Sequence, residues 1–366
     1  MHKSQYWLFM AFTLFASPHA VSAEHSAPGC GRPGKPPAGD QVKVVSWNIS
    51  ELAIDKQVYD RPIRSETEFA DLRNYRDCVG GDVYVLQEIA SPKALAQIFP
   101  PADYDICFSG QKTADEKGLA PDYPRAALTD ISPVCYSSAS DVSELPGEIT
   151  NRAYQYVALA VKRASGISVV SIRDVPEIGQ KNPVDGHQTR WGLEAVLGRG
   201  NQKLRILVIH LKSRCNEGPI SPSSTDEHCP ALALQLPHLK QWILEAAEQP
   251  EPFTVIGDFN RRLDRENPNV LTTDMWDVIT GAATSTTNDD ISLTHIPAAK
   301  QFKCWPKQPP AQRFPIDFFA LDERALALAD ATSYWKWRYQ KDIEAETPAK
   351  RQPSDHCPIQ LNILFN

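Results

Sequence analysis

The feature that most constrains this chain is a repeated placement. Six largely apolar, strand-length runs each carry a carboxylate, amide or imidazole at or near one end. Residues 42–46 lead to Asn48, 83–86 to Gln87 and Glu88, 204–209 to His210, and 253–256 to Gly257-Asp258-Phe259-Asn260. Asp317 follows Pro315-Ile316 inside an apolar strand, and Ser354-Asp355-His356 opens the last one. Taken singly, each has an ordinary explanation: a satisfied core amide, a packed histidine, a turn, a polar lead-in. Burying one such group without a partner costs roughly 2–7 kcal/mol by transfer scales. Six on one framework predict side chains that partner each other around something.

Runs rich in β-branched and aromatic residues predict strands at 42–49, 82–89, 155–163, 191–197, 204–211, 253–259, 315–321, 334–339 and 358–365. Helices are expected at 66–78, 93–99 and 231–249, with Pro237 bending or starting the last. Short apolar strands with helices between some of them are the pattern of sheets covered by helices, here one α/β domain over 41–366. The stretches 103–153, 212–230 and 280–314 read as surface excursions. A 42% hydrophobic content can fill a sizeable core and excludes wholesale disorder. Thirty prolines against 18 glycines point to ordered loops rather than flexible linkers.

At the N-terminus, Lys3 precedes an apolar run over 6–16, Pro18 breaks it, and Val21-Ser22-Ala23 supplies small residues. Residues 1–23 therefore read as a signal peptide, too short to span a bilayer comfortably, followed by a flexible arm over 24–40. The expected location is secreted or periplasmic, with no stable membrane insertion. Cys30, Cys78, Cys107, Cys135, Cys215, Cys229, Cys304 and Cys357 all follow the cleavage site, and eight cysteines in an oxidising compartment read as up to four disulfides. Connectivity is open; proximity suggests Cys215 with Cys229 and Cys107 with Cys135, each stapling a loop, then Cys30 with Cys78 and Cys304 with Cys357. The absence of a close CxxC pair argues against zinc.

Carboxylate and amide oxygens suit a hard divalent cation, Mg²⁺ first, with Mn²⁺ or Ca²⁺ as alternatives. With two histidines nearby, such a set suits attack of water on a phosphate ester. No GxSxG, GxxxxGK[ST] or HExxH motif competes. A formal charge of −7 argues against loose, charge-driven binding of a polyanion. Lys212, Arg214, Arg261, Arg262, Lys350 and Arg351 nonetheless flank the motifs, and Trp335-Lys336-Trp337-Arg338-Tyr339 alternates aromatic with basic residues. Such a strand either buries its aromatic face in the core or offers a cationic strip beside the site.

At these residues the chain resembles the endonuclease/exonuclease/phosphatase superfamily. The matching pieces, in order, are SWNIS at 46–50, LQEI at 86–89, HLKS at 210–213, GDFN at 257–260, PIDFF at 315–319 and SDH at 354–356. The resemblance implies a four-layer α/β/β/α sandwich of two packed mixed β-sheets flanked by helices, with a metal-dependent phosphodiesterase site at one rim. It implies a metal site at Asn48 and Glu88, with Asp355 close by. It makes His356 the histidine that contacts the scissile phosphate and Asp317 the carboxylate that orients it. Asp258 would align or activate water, Asn260 would hold the phosphate, His210 would be a second phosphate-contacting histidine, and Arg190 a phosphate-binding arginine. Two departures stand out. Ile89-Ala90-Ser91 replaces a groove-reading arginine after the glutamate, and Tyr154-Gln155-Tyr156 replaces an acidic partner for His210.

The expected function is a secreted Mg²⁺-dependent hydrolase of phosphate esters: a nuclease of low sequence specificity, DNA its expected substrate, acting as a monomer. A sphingomyelinase-type or phosphoinositide-type hydrolase shares this core chemistry and stands as the alternative. A binding module that keeps the fold without the chemistry is the third reading.

Overall fold

The computed structural model describes residues 33–54, 63–110, 134–136, 155–218, 220–263, 274–281, 291–298, 301–339 and 353–365. Their elements, in chain order, are β1 (Gln41–Leu52), α1 (Glu66–Val79), β2 (Val83–Ile89), α2 (Pro92–Ala96), β3 (Tyr104–Phe108), β4 (Val134–Tyr136), β5 (Tyr156–Lys162), β6 (Ser168–Val175), β7 (Gly192–Arg199), β8 (Gln202–His210), α3 (Cys229–Ala247), β9 (Phe253–Asp258), α4 (Met275–Thr280), β10 (Leu293–Ile296), β11 (Asp317–Asp322), α5 (Glu323–Leu328), β12 (Ala329–Lys336) and β13 (Ile359–Leu364). They form two sheets, ordered β12-β13-β1-β2-β5-β3-β4 and β10-β11-β9-β8-β7-β6.

Each sheet is built around one parallel pair, β1 with β2 and β8 with β9, and all other pairings are antiparallel. A helix lies between the members of each pair in sequence, as a parallel crossover requires. α1 starts where Ser65 and Glu68 form a reciprocal capping box, and it stops at left-handed Gly80. Its Phe69, Leu72, Tyr75 and Val79 bury against the first sheet. α3 covers the second sheet with Leu232, Leu236, Leu239, Trp242 and Ile243, and Pro237 sits inside it rather than starting it.

The apolar residues fall into three layers, which makes the four-layer sandwich. Along β1, Val45, Trp47 and Ile49 face α1 while Val42 and Val44 face the other sheet. Along β8, Leu207 and Ile209 face α3 while Leu204, Ile206 and Val208 face the other sheet. Successive side chains of a strand alternate between its two faces with period 2. Asn48, His210 and Asp258 therefore continue the inter-sheet stripes and emerge at the top of the layer between the sheets. That edge holds the carboxyl ends of both parallel pairs, where open α/β sheets place their ligand crevice. The antiparallel strands β11 and β13 start there, with Asp317 directly opposite Asp258.

Several expectations need correction. The stretch 103–153 is not wholly a surface excursion: β3 is an interior strand with Ile106, Cys107 and Phe108 buried. Cys107 and Cys135 are cross-strand partners on β3 and β4, so their disulfide ties a sheet rather than a loop. The bond between Cys215 and Cys229 matches expectation. Cys78 is also disulfide-bonded, while its expected partner Cys30 lies outside the described residues. Cys304 and Cys357 are free, buried thiols, not the expected disulfide; they hydrogen-bond to each other beside the Lys336 ammonium, which also hydrogen-bonds to Cys304. The arm is not loose at Lys35, whose Nζ reaches Asp330 at 2.5 Å and whose carbonyl accepts from Gln360. Residues 1–23, expected to be a signal peptide, lie outside the described residues. Among those described, no helix is long and apolar enough to cross a membrane.

Gly257, one step before Asp258, has φ +143°, and a Cβ there would lie 2.1 Å from the Ile209 carbonyl oxygen. Gly257→Ala should therefore destabilise the fold by roughly 3 kcal/mol or more, read as a lower midpoint in urea unfolding. Peptide mapping without reductant should show the Cys107–Cys135 and Cys215–Cys229 links intact, with Cys304 and Cys357 alkylated only after unfolding.

Candidate active site

Asp258 is the centre of the cluster. Its side chain is 1% exposed, and Asn48 Nδ2 donates to its Oδ2 at 3.2 Å. The Asn260 backbone N–H donates to Oδ1 at 2.8 Å. His210 Nε2 and His356 Nε2 stand 3.5 and 3.7 Å from Oδ2. Burial pushes this carboxyl well up from the usual carboxylate range, against the pull of His356.

The surroundings push the two histidines in opposite directions. Burial pushes His210 well below the ordinary imidazole value, and the nearby Arg190, His356 and Lys212 charges push the same way. Burial would do the same to His356, but Asp317 and Asp258 outweigh it and hold its imidazolium well above that value. His356 Nδ1 lies 3.0 and 3.2 Å from the two Asp317 oxygens, which leaves Nε2 facing the cleft. The backbone around it is also tied. Ser354 Oγ donates to the Asn48 carbonyl at 2.6 Å and accepts the His356 N–H at 3.0 Å. Tyr339 Oη donates to the His356 carbonyl at 2.7 Å.

Glu88 reaches the cluster through an irregular strand end. β2 loses register between Leu86 and Ile89, and Glu88 itself has φ +63°. The bulge re-aims a side chain that strict alternation would send to the helix side. Asn48 Nδ2 donates to Glu88 Oε1 at 3.1 Å, and the Glu51 N–H donates to Oε2 at 3.0 Å. Gln155 Nε2 also donates to Oε2, at 3.3 Å, while Gln155 Oε1 accepts from Arg190 Nη2 at 2.9 Å. One buried amide therefore links the arginine to the glutamate.

The structure thus brings together Asn48, Glu88, His210, Asp258, Asp317 and His356, with Arg190 attached through Gln155. Asp355 is exposed and lines the cavity next to His356, with Ser354 Oγ 3.5 Å from its Oδ1. Asn260 Nδ2 donates to the Leu211 carbonyl at 3.0 Å, which fixes this amide across the ends of β8 and β9. Others depart from expectation. Arg261 is buried and donates to the Cys215 and Gly218 carbonyls, and Arg262 is paired with Glu217; neither joins an open cationic rim. Lys336 is buried with Trp337 and Tyr339, so the 335–339 stretch is not a cationic strip, although Arg338 is exposed. Lys350, Arg351 and Tyr154 lie outside the described residues.

Gln155, Ser354 and Tyr339 are the positioning residues that motif reasoning missed. Gln155 precedes its apolar run instead of following it; β5 is antiparallel to β2, so that start lies at the same edge. The other two act through a hydroxyl on a carbonyl, which leaves no spacing to read.

Two groupings could hold an ion. Ligand atoms of Asp258, Asp317 and His356 lie within 4.8 Å of one another. The His356–Asp317 contact already accounts for that grouping as a hydrogen-bonded pair. Glu88 is the better fit, since it offers hard oxygens and its side chain is 19% exposed where that of Asp258 is 1%; Asn48 stands beside it with Nδ2 toward Glu88 and Oδ1 on the Ser50 N–H at 2.9 Å.

The chain matches no family model, and no curated protein matches it in sequence. Among solved structures it is similar to the human Nocturnin catalytic domain with bound sulfate anion, at 17% identity and TM-score 0.47, covering 90% of this chain and 96% of that one. It is also similar to an endonuclease/exonuclease/phosphatase protein from Bacteroides vulgatus (13%, TM-score 0.48, 89% and 99%) and to the 3′ phosphatase NExo from Neisseria bound to product DNA hairpin (13%, 0.46, 88% and 100%). Similar structures from Bacteroides thetaiotaomicron, Leptotrichia buccalis and Beutenbergia cavernae carry the same endonuclease/exonuclease/phosphatase description. Likeness at this level says nothing of substrate, and the chemistry rests on the side chains described above.

Calorimetric titration should show Mg²⁺ binding to the full chain, with Kd weakened by about tenfold or more in Glu88→Gln, because one hard charged oxygen donor is lost.

Proposed function

We propose that this protein is an exported, metal-dependent phosphodiesterase of nucleic acid, DNA first. The observation that carries the reading is geometric: the Nε2 atoms of two histidines stand 3.5 and 3.7 Å from one oxygen of the buried Asp258 carboxylate, and their surroundings push the two imidazoles in opposite directions. Such a pair separates the duties that ester hydrolysis needs. His356, charged and aimed by Asp317, offers a proton donor to the phosphate oxygens as negative charge builds on them. Asp258, raised by burial, can take a proton from an attacking water held against it. His210, kept neutral, donates or accepts a hydrogen bond without adding charge. Arg190, fixed by Gln155, supplies a cation on the His210 side.

A dication held by Glu88 and Asn48 would supply charge neutralisation for the phosphate oxygens. Mg²⁺ is the proposed ion because the donors are oxygens and few.

The decisive assay is a panel of single- and double-stranded DNA, RNA, sphingomyelin and inositol phosphates with Mg²⁺. Cleavage of nucleic acid is expected, and no cleavage of any nucleic acid would overturn the proposal. Glu88→Gln should lower kcat by about 10³-fold or more with Tm nearly unchanged, and His356→Ala should lower kcat as much together with Tm, since Asp258 and Asp317 lose their shared counter-charge. Asp317→Asn should lower kcat by about 10²-fold or more, since it leaves His356 in place but without its carboxylate.

A further inference from the structure

A cavity of about 740 Å³ opens beside His356 and Asp317, walled by the segment 301–316. That wall is cross-braced. The Phe302 N–H donates to the Arg313 carbonyl at 2.8 Å, and the Cys304 N–H donates to Gln308 Oε1 at 2.6 Å. Gln308 Nε2 reaches the Gln312 carbonyl at 2.8 Å, and Arg313 Nε and Nη2 donate to the Gln308 carbonyl at 3.0 and 2.9 Å. The Tyr339 N–H holds the Cys304 carbonyl at 2.8 Å, which ties the wall to the strand bearing Lys336. The cavity is therefore pre-formed, within the size range of small-molecule sites.

Its lining decides between occupants. Trp305 and Phe314 are half-buried and present aromatic surface; Lys307 is exposed at the edge, and the buried Lys336 carries a charge inside. An acyl chain would have to desolvate Lys336 and the cavity's amide groups without replacing their hydrogen bonds. An inositol polyphosphate would leave the aromatic faces unused and find few cations, since Arg262 is committed to Glu217 and Lys336 faces Asp317. A base with its sugar uses both kinds of wall: a π-face for the aromatics, and hydroxyl and phosphate oxygens for Lys307 at the edge. A base within a duplex has both faces stacked on its neighbours and must leave the stack to reach Trp305 and Phe314.

We infer that this cavity takes one unstacked nucleoside of the substrate, with its base against Trp305 and Phe314 and the adjoining phosphate ester at His356. The placement of the ester rests on the phosphodiesterase reading; the nucleoside site does not. The enzyme then works on single strands and chain ends in preference to duplex interiors.

Two measurements on the full chain test this. Titration calorimetry with thymidine 5′-monophosphate should show binding to the wild type, weakened about tenfold in Trp305→Ala. In kinetics, kcat/KM for the p-nitrophenyl ester of thymidine 5′-monophosphate should exceed that for methyl p-nitrophenyl phosphate by about tenfold or more, mainly through KM. Trp305→Ala should collapse that ratio, and Phe314→Leu, which keeps most of the volume, should reduce it if the tryptophan variant fails to fold by circular dichroism. Nucleotide binding with no turnover of either ester would keep the cavity assignment and remove the phosphodiesterase reading. Equal turnover of both esters with no nucleotide binding would overturn the cavity assignment alone. Faster cleavage of duplex than of single strands would also overturn it.

Discussion

The burial of Asp258 between the two sheets is the constraint on which the rest of the site depends. Its carboxylate collects Asn48 from one sheet, His210 and the Asn260 N–H from the other, and His356 from the segment before the last strand. An unpaired buried charge costs several kcal/mol, so these groups are held in place by one another as much as by their own strands. Removing any one leaves the others with unmet hydrogen bonds or uncompensated charge.

The architecture delivers these groups without long or improvised connections. Each parallel pair ends at the same edge, and each flanking antiparallel strand begins there, so six chain segments meet with little loop to order. Precision comes from the second rank of contacts: Asp317 fixes the His356 ring, Ser354 and Tyr339 fix its backbone, and Gln155 joins Glu88 to Arg190. Rigid supports of this kind keep reacting groups aligned. Access is unequal across the cleft. On the His210 side stands a cation tied by an amide, while on the His356 side lies a walled cavity with aromatic faces.

Much of this was legible in the sequence, and the reason is periodicity. Both central pairs, both covering helices and the ordering of the polar strand ends followed from apolar runs of strand or helix length. The features that escaped had no such signal. β3 is an interior strand yet only five residues long, with Asp105 interrupting it, and β6 is an edge strand whose exposed face reads like loop. Arg261 reads as a surface cation next to the GDFN motif, but two carbonyls of the 212–230 loop draw it inside. Lys336 reads as half of an exposed stripe, but its neighbours are Cys304, Cys357 and Asp317, which arrive from distant segments.

By itself, the amino-acid order determined which strands would be buried on both faces and which polar side chains would stand at their ends, because both follow from side-chain alternation along a strand. Only the tertiary structure decided how those side chains share protons and partners. Glu88 turns in through a bulge, Asn260 is fixed on a carbonyl, two histidines face one buried carboxylate, and two cysteines remain thiols. Each of these outcomes depends on atoms within about 4 Å contributed by segments far apart in the chain, and hydrogen bonding and desolvation act only at such range.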